Sequence, residues 1–208
     1  MRKSVQQLIS LGKIIAKPAQ SLVNNEQEVL PKELYRFLSC ANGLFAFESA
    51  LMIRPLVCEN DIQSVFEWNE RDLWKSKYYN DQILNTLFFA EDAFGCQFGY
   101  FENQIYFFDS ETGELDFLCK TFNEWSELIV SECRQYTGYQ LMHEWQVKNG
   151  SIAQGNRLCP KLPFVLGGQY EIDNLYSIPA LEGMLLRTNI AVQIRDLPDG
   201  SEIQLKIE

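Results

Sequence analysis

The residue types that could do chemistry are few in this chain, and their spacing is unfavourable for most of it. His143 is the single histidine. It precedes Glu144, but a zinc-protease helix pattern needs a second histidine at 147, where Val147 stands. His143 therefore reads as a surface or partly buried helix residue. A serine or cysteine nucleophile needs a nearby base, and one histidine leaves little choice. The six cysteines, at 40, 58, 96, 119, 133 and 159, form no CxxC pair and mostly fall on apolar patterns, as small core residues do. Gly167-Gly168 fits a tight turn better than a phosphate loop, and no complete phosphate-binding or nucleophile-elbow motif is present. What remains is carboxylate. Glu91-Asp92 and Asp109 each close a predicted strand, where acids bind a hard cation, work as an acid–base pair, or cap a turn. No catalytic residue, metal ligand or cofactor site is assigned from these patterns.

The elements that must position those acids are legible between Leu87 and Trp125. Cys96, Phe98 and Tyr100 alternate with Gln97 and Gly99, the signature of a strand with one apolar face. Glu102-Asn103 marks a tight connection. Ile105 and Phe107 point one way and Tyr106 and Phe108 the other, which predicts a central strand covered on both sides. Ser110 to Gly113 reads as a turn, and Leu115, Phe117 and Cys119 as the inward set of a third strand. Ten of the 27 aromatic residues lie between Leu87 and Cys119, so the core is placed there. Thr121 with Glu124 has the form of a capping box that opens a helix carrying Phe122, Trp125, Leu128, Ile129 and Cys133 on one face.

Around this meander, residues 3–16 show helical periodicity that ends before Pro18, and Pro18 to Gln27 reads as a loop. Pro31 opens a second helix with Leu34, Phe37, Leu38 and Ala41 buried. Two short strands flank Glu48-Ser49, and a helix is expected over Asp61 to Trp68. Leu141, Trp145 and Val147 suggest a further helix ending at Asn149-Gly150. The Pro- and Gly-rich segment from Ile152 to Gly168 reads as an irregular strap. Ser177 and Pro179 open a last helix to about Arg195, and Ile203, Leu205 and Ile207 alternate as a final strand. The fold class is α+β: a central antiparallel meander flanked by helices, with a C-terminal extension. The organisation expected is one globular domain over 1–208, with a core of about 26–146 and an extension of about 147–208 packed on it.

Composition narrows the function. The net charge of −10 and pI near 4.7 argue against nucleic acid or an anionic membrane surface as partner, since both need basic patches. From Tyr78 to Cys119 there are eight acids and no Lys or Arg, where an average stretch of that length would hold about 3.6 basic residues. No apolar run reaches the roughly 20 residues that span a bilayer. Met1-Arg2-Lys3 is basic, but Gln6, Gln7, Ser10 and Lys13 interrupt any apolar run behind it, so no signal peptide is expected. Scattered cysteines fit a reducing compartment, and a cytoplasmic location is expected.

The order of segments resembles that of the SUKH superfamily. Leu30 to Tyr35 leading to Phe37-Leu38 and Asn42-Gly43 resembles its opening helix. Phe89-Ala90-Glu91-Asp92 with Gly95, then Ile105 to Asp109 with Glu111-Thr112-Gly113, then Thr121 to Trp125, resemble its later signatures. Residues after about 150 are similar to an extension seen in a bacterial subset. The resemblance implies a compact α+β fold and a non-catalytic binder. Bacterial members are immunity proteins that neutralise a secreted toxin, often a nuclease, and the fungal relatives regulate cell-wall assembly through partners. It supplies no catalytic residues. The expectation is a bacterial immunity protein, monomeric or weakly dimeric, that holds a basic cognate toxin through Glu91, Asp92, Tyr100, Phe101, Glu102, Glu111 and Glu114. Two other readings stay open: a regulatory or scaffold module, and a small-molecule binder or hydrolase using Glu91, Asp92 and Asp109.

Overall fold

A computed structural model of the chain describes residues 2–17, 30–57, 62–198 and 200–204. Strands β1 (Gly12–Ile14), β2 (Leu44–Ala46), β3 (Leu51–Ile53), β4 (Leu87–Glu91), β5 (Gln97–Phe101), β6 (Gln104–Phe108) and β7 (Leu115–Cys119) form one sheet in sequence order. Every neighbouring pair is antiparallel. The fold is thus the expected α+β meander flanked by helices, with a second, two-stranded sheet beside it.

Both faces of the sheet are covered because its central strands are apolar on both sides. On β4, Phe89 faces one core and Phe88 the other. The first core lies under helices α1 (Lys3–Ser10), α2 (Lys32–Cys40) and α5 (Phe122–Ser131), which supply Val5, Leu8, Leu34, Phe37, Trp125 and Ile129. The second holds Trp68, Trp74, Tyr78, Phe88 and Phe108 beneath helix α8 (Ala180–Ile194), which supplies Met184 and Ala191. Burying each of these large side chains contributes about 1.5–3 kcal/mol. In the chain between β3 and β4 lie the short helices α3 (Val65–Trp68) and α4 (Asp81–Asn85), and a 3-10 turn at Lys75–Tyr78, which add to the second core.

The chain after α5 continues through α6 (Cys133–Thr137) and α7 (Tyr139–Asn149) into strands β8 (Asn156–Pro160) and β9 (Leu175–Pro179), then α8. A hydrogen bond from Leu158 N to Ala93 O (2.8 Å) ties β8 to the turn after β4. The extension is thereby fastened to the sheet at the point where the strand-end acids lie.

Several expectations are corrected. The central strand is β4, whereas β6 lies next to the free edge. Phe117 is 52% exposed: it lies on the same face as Leu115, opposite Tyr106, but outside the second core that Leu115 packs against, and the register shift at Ile105/Tyr106 sends Cys119 to the other face. The N-terminal periodic segment is helix only to Ser10 and then strand β1. The expected strap contains β8, and Ser177 and Pro179 belong to β9, so the last helix starts at Ala180. The helix before Trp68 is confined to Val65–Trp68, opened by a capping box in which Ser64 and Glu67 exchange hydrogen bonds. At α5 only half of the expected box forms: Thr121 Oγ1 accepts from Glu124 N, but Glu124 accepts from Lys120 N. Glu132 interrupts the helix before Cys133. Ile203 is not in a strand. The predicted loop at Pro18 to Gln27, Asp61, and Leu205 and Ile207 lie outside the described residues.

Candidate functional site

The hairpin β5–β6 has two ends, and its chemistry divides between them. Gln97 pairs with Phe108 at one end and Phe101 with Gln104 at the other. The first end carries Glu91, Asp92, Cys96 and Asp109. The second is the tip, Glu102-Asn103, both at positive φ.

At the first end, Glu91 is 1% exposed and faces two buried arginines. Arg54 Nη2 donates to its Oε2 at 2.7 Å, and Gln97 Nε2 donates to the same oxygen at 3.0 Å. Arg157 Nε lies 2.7 Å from Oε1, in ion contact without hydrogen-bond alignment. The Arg54 guanidinium stacks 3.4 Å above the Trp68 ring, and Trp68 Nε1 donates to Gln97 Oε1 at 2.9 Å. Burial alone would raise the Glu91 pKa, but Arg54 and Arg157, helped by Gln97, outweigh it and hold Glu91 below the usual carboxylate range. Burial pulls Arg54 down to about 10 in spite of Glu91. Arg54 follows β3, Glu91 ends β4 and Arg157 sits on β8. One carboxylate therefore joins the meander to the extension.

Asp92 is buried one residue on. Its Oδ1 accepts from Phe94 N (2.8 Å) and Cys96 N (2.9 Å), an Asx turn that shapes the β4–β5 connection. Burial pushes its pKa up to about 7 despite those two bonds. Asp109 makes the equivalent turn after β6, with Oδ1 accepting from Glu111 N and Thr112 N. Glu111 Oε2 accepts from Val165 N of the extension, and burial raises its pKa too.

These groups border a cavity of about 490 Å³. Asp92, Asp109, Glu111 and Cys96 share its lining with the aromatic rings of Phe94, Phe164 and Tyr170, with Arg187 of α8 and with the exposed Arg134 of α6. The Phe164 and Tyr170 rings are stacked at 3.9 Å. Among the described residues, no group of three or more His, Cys, Asp or Glu side chains is arranged to hold a metal ion.

The tip end is different. Phe101, Tyr106 and Phe117, on three adjacent strands, stack edge-on in a row at 5.8 Å per step. Phe101 and Tyr106 are half-buried and Phe117 is exposed. Beside the row stand Glu102 and the edge of β7, which has one strand neighbour in the sheet.

Burial splits the set of seven expected partner contacts, and not simply by end, since Glu114 lies at the Gln97–Phe108 end and Tyr100 near the tip. Glu102 and Glu114 are exposed and Phe101 is half-buried. Glu91 and Asp92 are buried in the interactions just described, Glu111 is 5% exposed, and Tyr100 is buried against Phe89 at 5.2 Å. Glu91 and Tyr100 thus present no surface to a partner. Glu91, Asp92 and Asp109 do come to the same end of the sheet, but Glu91 is taken up by two arginines and the two aspartates by turn amides. His143 lies apart, half-exposed, with Nδ1 2.9 Å from Glu48 Oε2. Together with Gln146 Nε2, which donates to Glu48 O, it holds the turn Phe47-Glu48-Ser49, where three consecutive residues have positive φ.

Sequence reasoning missed Arg54, Arg157 and Arg187, and the buried Lys75, whose Nζ donates to Thr86 O at 2.6 Å. Arg54 carried one legible signal: it follows the wholly apolar Leu51-Met52-Ile53, so a charge there had to be paired. Arg157 and Arg187 carried none, because their partners are far away in the chain.

No family model matches the chain, and no curated protein matches it in sequence. Among solved structures it is similar to the crystal structure of Atu4351 from Agrobacterium tumefaciens, with a TM-score of 0.58 and 14% identity over 90% of this chain and 88% of that one. At that identity the likeness is one of fold.

Proposed function

We propose that this protein is a non-catalytic binder of the immunity type, which holds and neutralises a basic protein toxin through the tip end of its meander. The observation that carries the reading is the aromatic row Phe101–Tyr106–Phe117. It is left open beside a free strand edge, with the exposed acids Glu102 at the tip and Asp116 on the edge strand. An edge that carries exposed acids beside aromatic anchors suits a cationic partner: aromatics supply binding energy at the centre of an interface, and charge speeds encounter. The segment order, which resembles that of the SUKH superfamily, supports the same reading, and the antiparallel meander is compatible with it. No helix among the described residues is long and apolar enough to cross a membrane.

The test is co-purification and calorimetry with basic toxins encoded beside this gene. A stoichiometric complex is expected. Phe117→Ala should weaken it about tenfold or more, while the melting temperature of the free protein changes little. If no neighbouring toxin binds, or if Phe117→Ala binds as well as the parent, the tip-end reading is wrong. The cavity at the other end favours a second reading, small-molecule binding.

A further inference from the structure

Arg187 does not fit the account given so far. It is 2% exposed and sits on α8 in the second core, yet it is not part of the Glu91 ion pairs. Its Nη2 donates to Leu158 O at 2.8 Å, and its Nη1 has no hydrogen-bond partner. A buried cationic donor left unmade costs more than a neutral one, so an acceptor belongs there. The chain makes room for the guanidinium itself. A Cβ on Gly183 would lie 2.8 Å from Nη1, and one on Gly95 would lie 3.2 Å away.

The rest of the cavity narrows what that acceptor belongs to. Arg187 forms part of the wall, and Asp92, Asp109 and Glu111 line the same space. A plain anion meeting Arg187 would meet those carboxylates as well. A ligand with one negative and one positive pole answers both. The lining also holds an aromatic cluster, with Phe94 edge-on to Phe164 at 5.3 Å and Phe164 stacked on Tyr170. A cavity of about 490 Å³ is within the range of small-ligand sites, roughly 300–1,000 Å³.

We propose that this cavity binds a free α-amino acid with an apolar or aromatic side chain. The carboxylate meets Arg187 Nη1, the ammonium meets Asp109 and Glu111, and the side chain lies against Phe94, Phe164 and Tyr170. The site is at the end of β5–β6 opposite the tip, so it stands or falls separately from toxin binding.

Calorimetry on the full chain at pH 7 tests it, with L-phenylalanine, 3-phenylpropionate and phenethylamine as probes. Saturable binding of L-phenylalanine is expected, with each one-pole analogue weaker by about tenfold or more, because a site built for a polar group rejects the ligand that lacks it. Arg187→Met should abolish binding. Since that variant also loses the bond to Leu158, Asp109→Asn and Tyr170→Ala serve beside it; each should weaken binding severalfold while the thermal unfolding of the unliganded protein stays cooperative. The proposal is overturned if L-phenylalanine does not bind at millimolar concentration, if 3-phenylpropionate binds as tightly, or if Asp109→Asn and Tyr170→Ala bind like the parent.

Discussion

The two ends of the β5–β6 hairpin use the same residue types to opposite effect. At the Gln97–Phe108 end, Glu91, Asp92 and Glu111 are buried, and arginines from three distant segments surround them. At the Phe101–Gln104 end, Glu102 faces solvent beside a row of aromatics. What separates them is cover. The C-terminal extension closes over the first end through β8, the strap around Val165, and α8. Nothing comparable from the described residues covers Phe117. An acid's position along a strand says little about its role until the third dimension decides whether a cation comes to meet it.

The sharpest way to break this comparison is to remove the acid that two arginines share. Glu91→Ala leaves Arg54 and Arg157 buried without their counter-charge, and deleting one partner of a buried pair costs about 3–5 kcal/mol. Urea unfolding at pH 7 measures it. A loss below about 1 kcal/mol would mean that water reaches the arginines and that the extension is not anchored here.

The second test uses pH, because Glu91 and Asp92 are adjacent and oppositely shifted. Glu91 is held below its ordinary value. Its stabilisation is present above the unfolded pKa and is lost as pH falls through the lower folded value. Asp92 is pushed up to about 7, so the folded state keeps a proton that the unfolded chain releases near pH 4. Stability from this group therefore falls as pH rises between about 4 and 7, by at most about 1.4 kcal/mol per pH unit. Asp92→Asn keeps an oxygen for the Phe94 and Cys96 amides and removes the titration. Unfolding free energies measured across pH 4.5–7.5 should fall in the parent and run flatter in the variant. An unchanged slope would place the titration elsewhere.

The contrast between the ends also explains what could be read from the chain alone. The meander was legible because alternating side chains, turn residues and short connections are local signals, and Leu87 to Cys119 displays all three. Phe89 and Phe98 were readable as core for the same reason. Phe117 keeps the alternation and shares a face with Leu115, but it is exposed because the cover of that face ends before it, which no local pattern reports. The acids were noticed, but Glu91 could not be told from Glu102. That distinction rests on Arg54, 37 residues before Glu91, and on Arg157, far beyond it on β8. The strand β9 was hidden by Ser177 and Pro179, which have the form of a helix start; pairing with β8 overrode it.

The smallest expected change in stability is at the tip, and it completes the comparison. Glu102 is exposed at the turn between β5 and β6, with φ of 50°. Replacing it by Lys removes no buried contact, so unfolding stability should move by no more than about 0.5 kcal/mol, an order of magnitude less than at Glu91. Its effect should appear in kinetics instead. Reversing one exposed charge at an interface changes the rate of encounter and its dependence on salt more than it changes the lifetime of the complex. Stopped-flow association with a basic toxin partner should show Glu102→Lys binding more slowly at low salt, with the difference shrinking as ionic strength rises and the Debye length falls below about 8 Å. An unchanged rate at low salt would remove the tip from the encounter surface. A large loss of stability would mean that Glu102 is part of the folded framework, as Glu91 is.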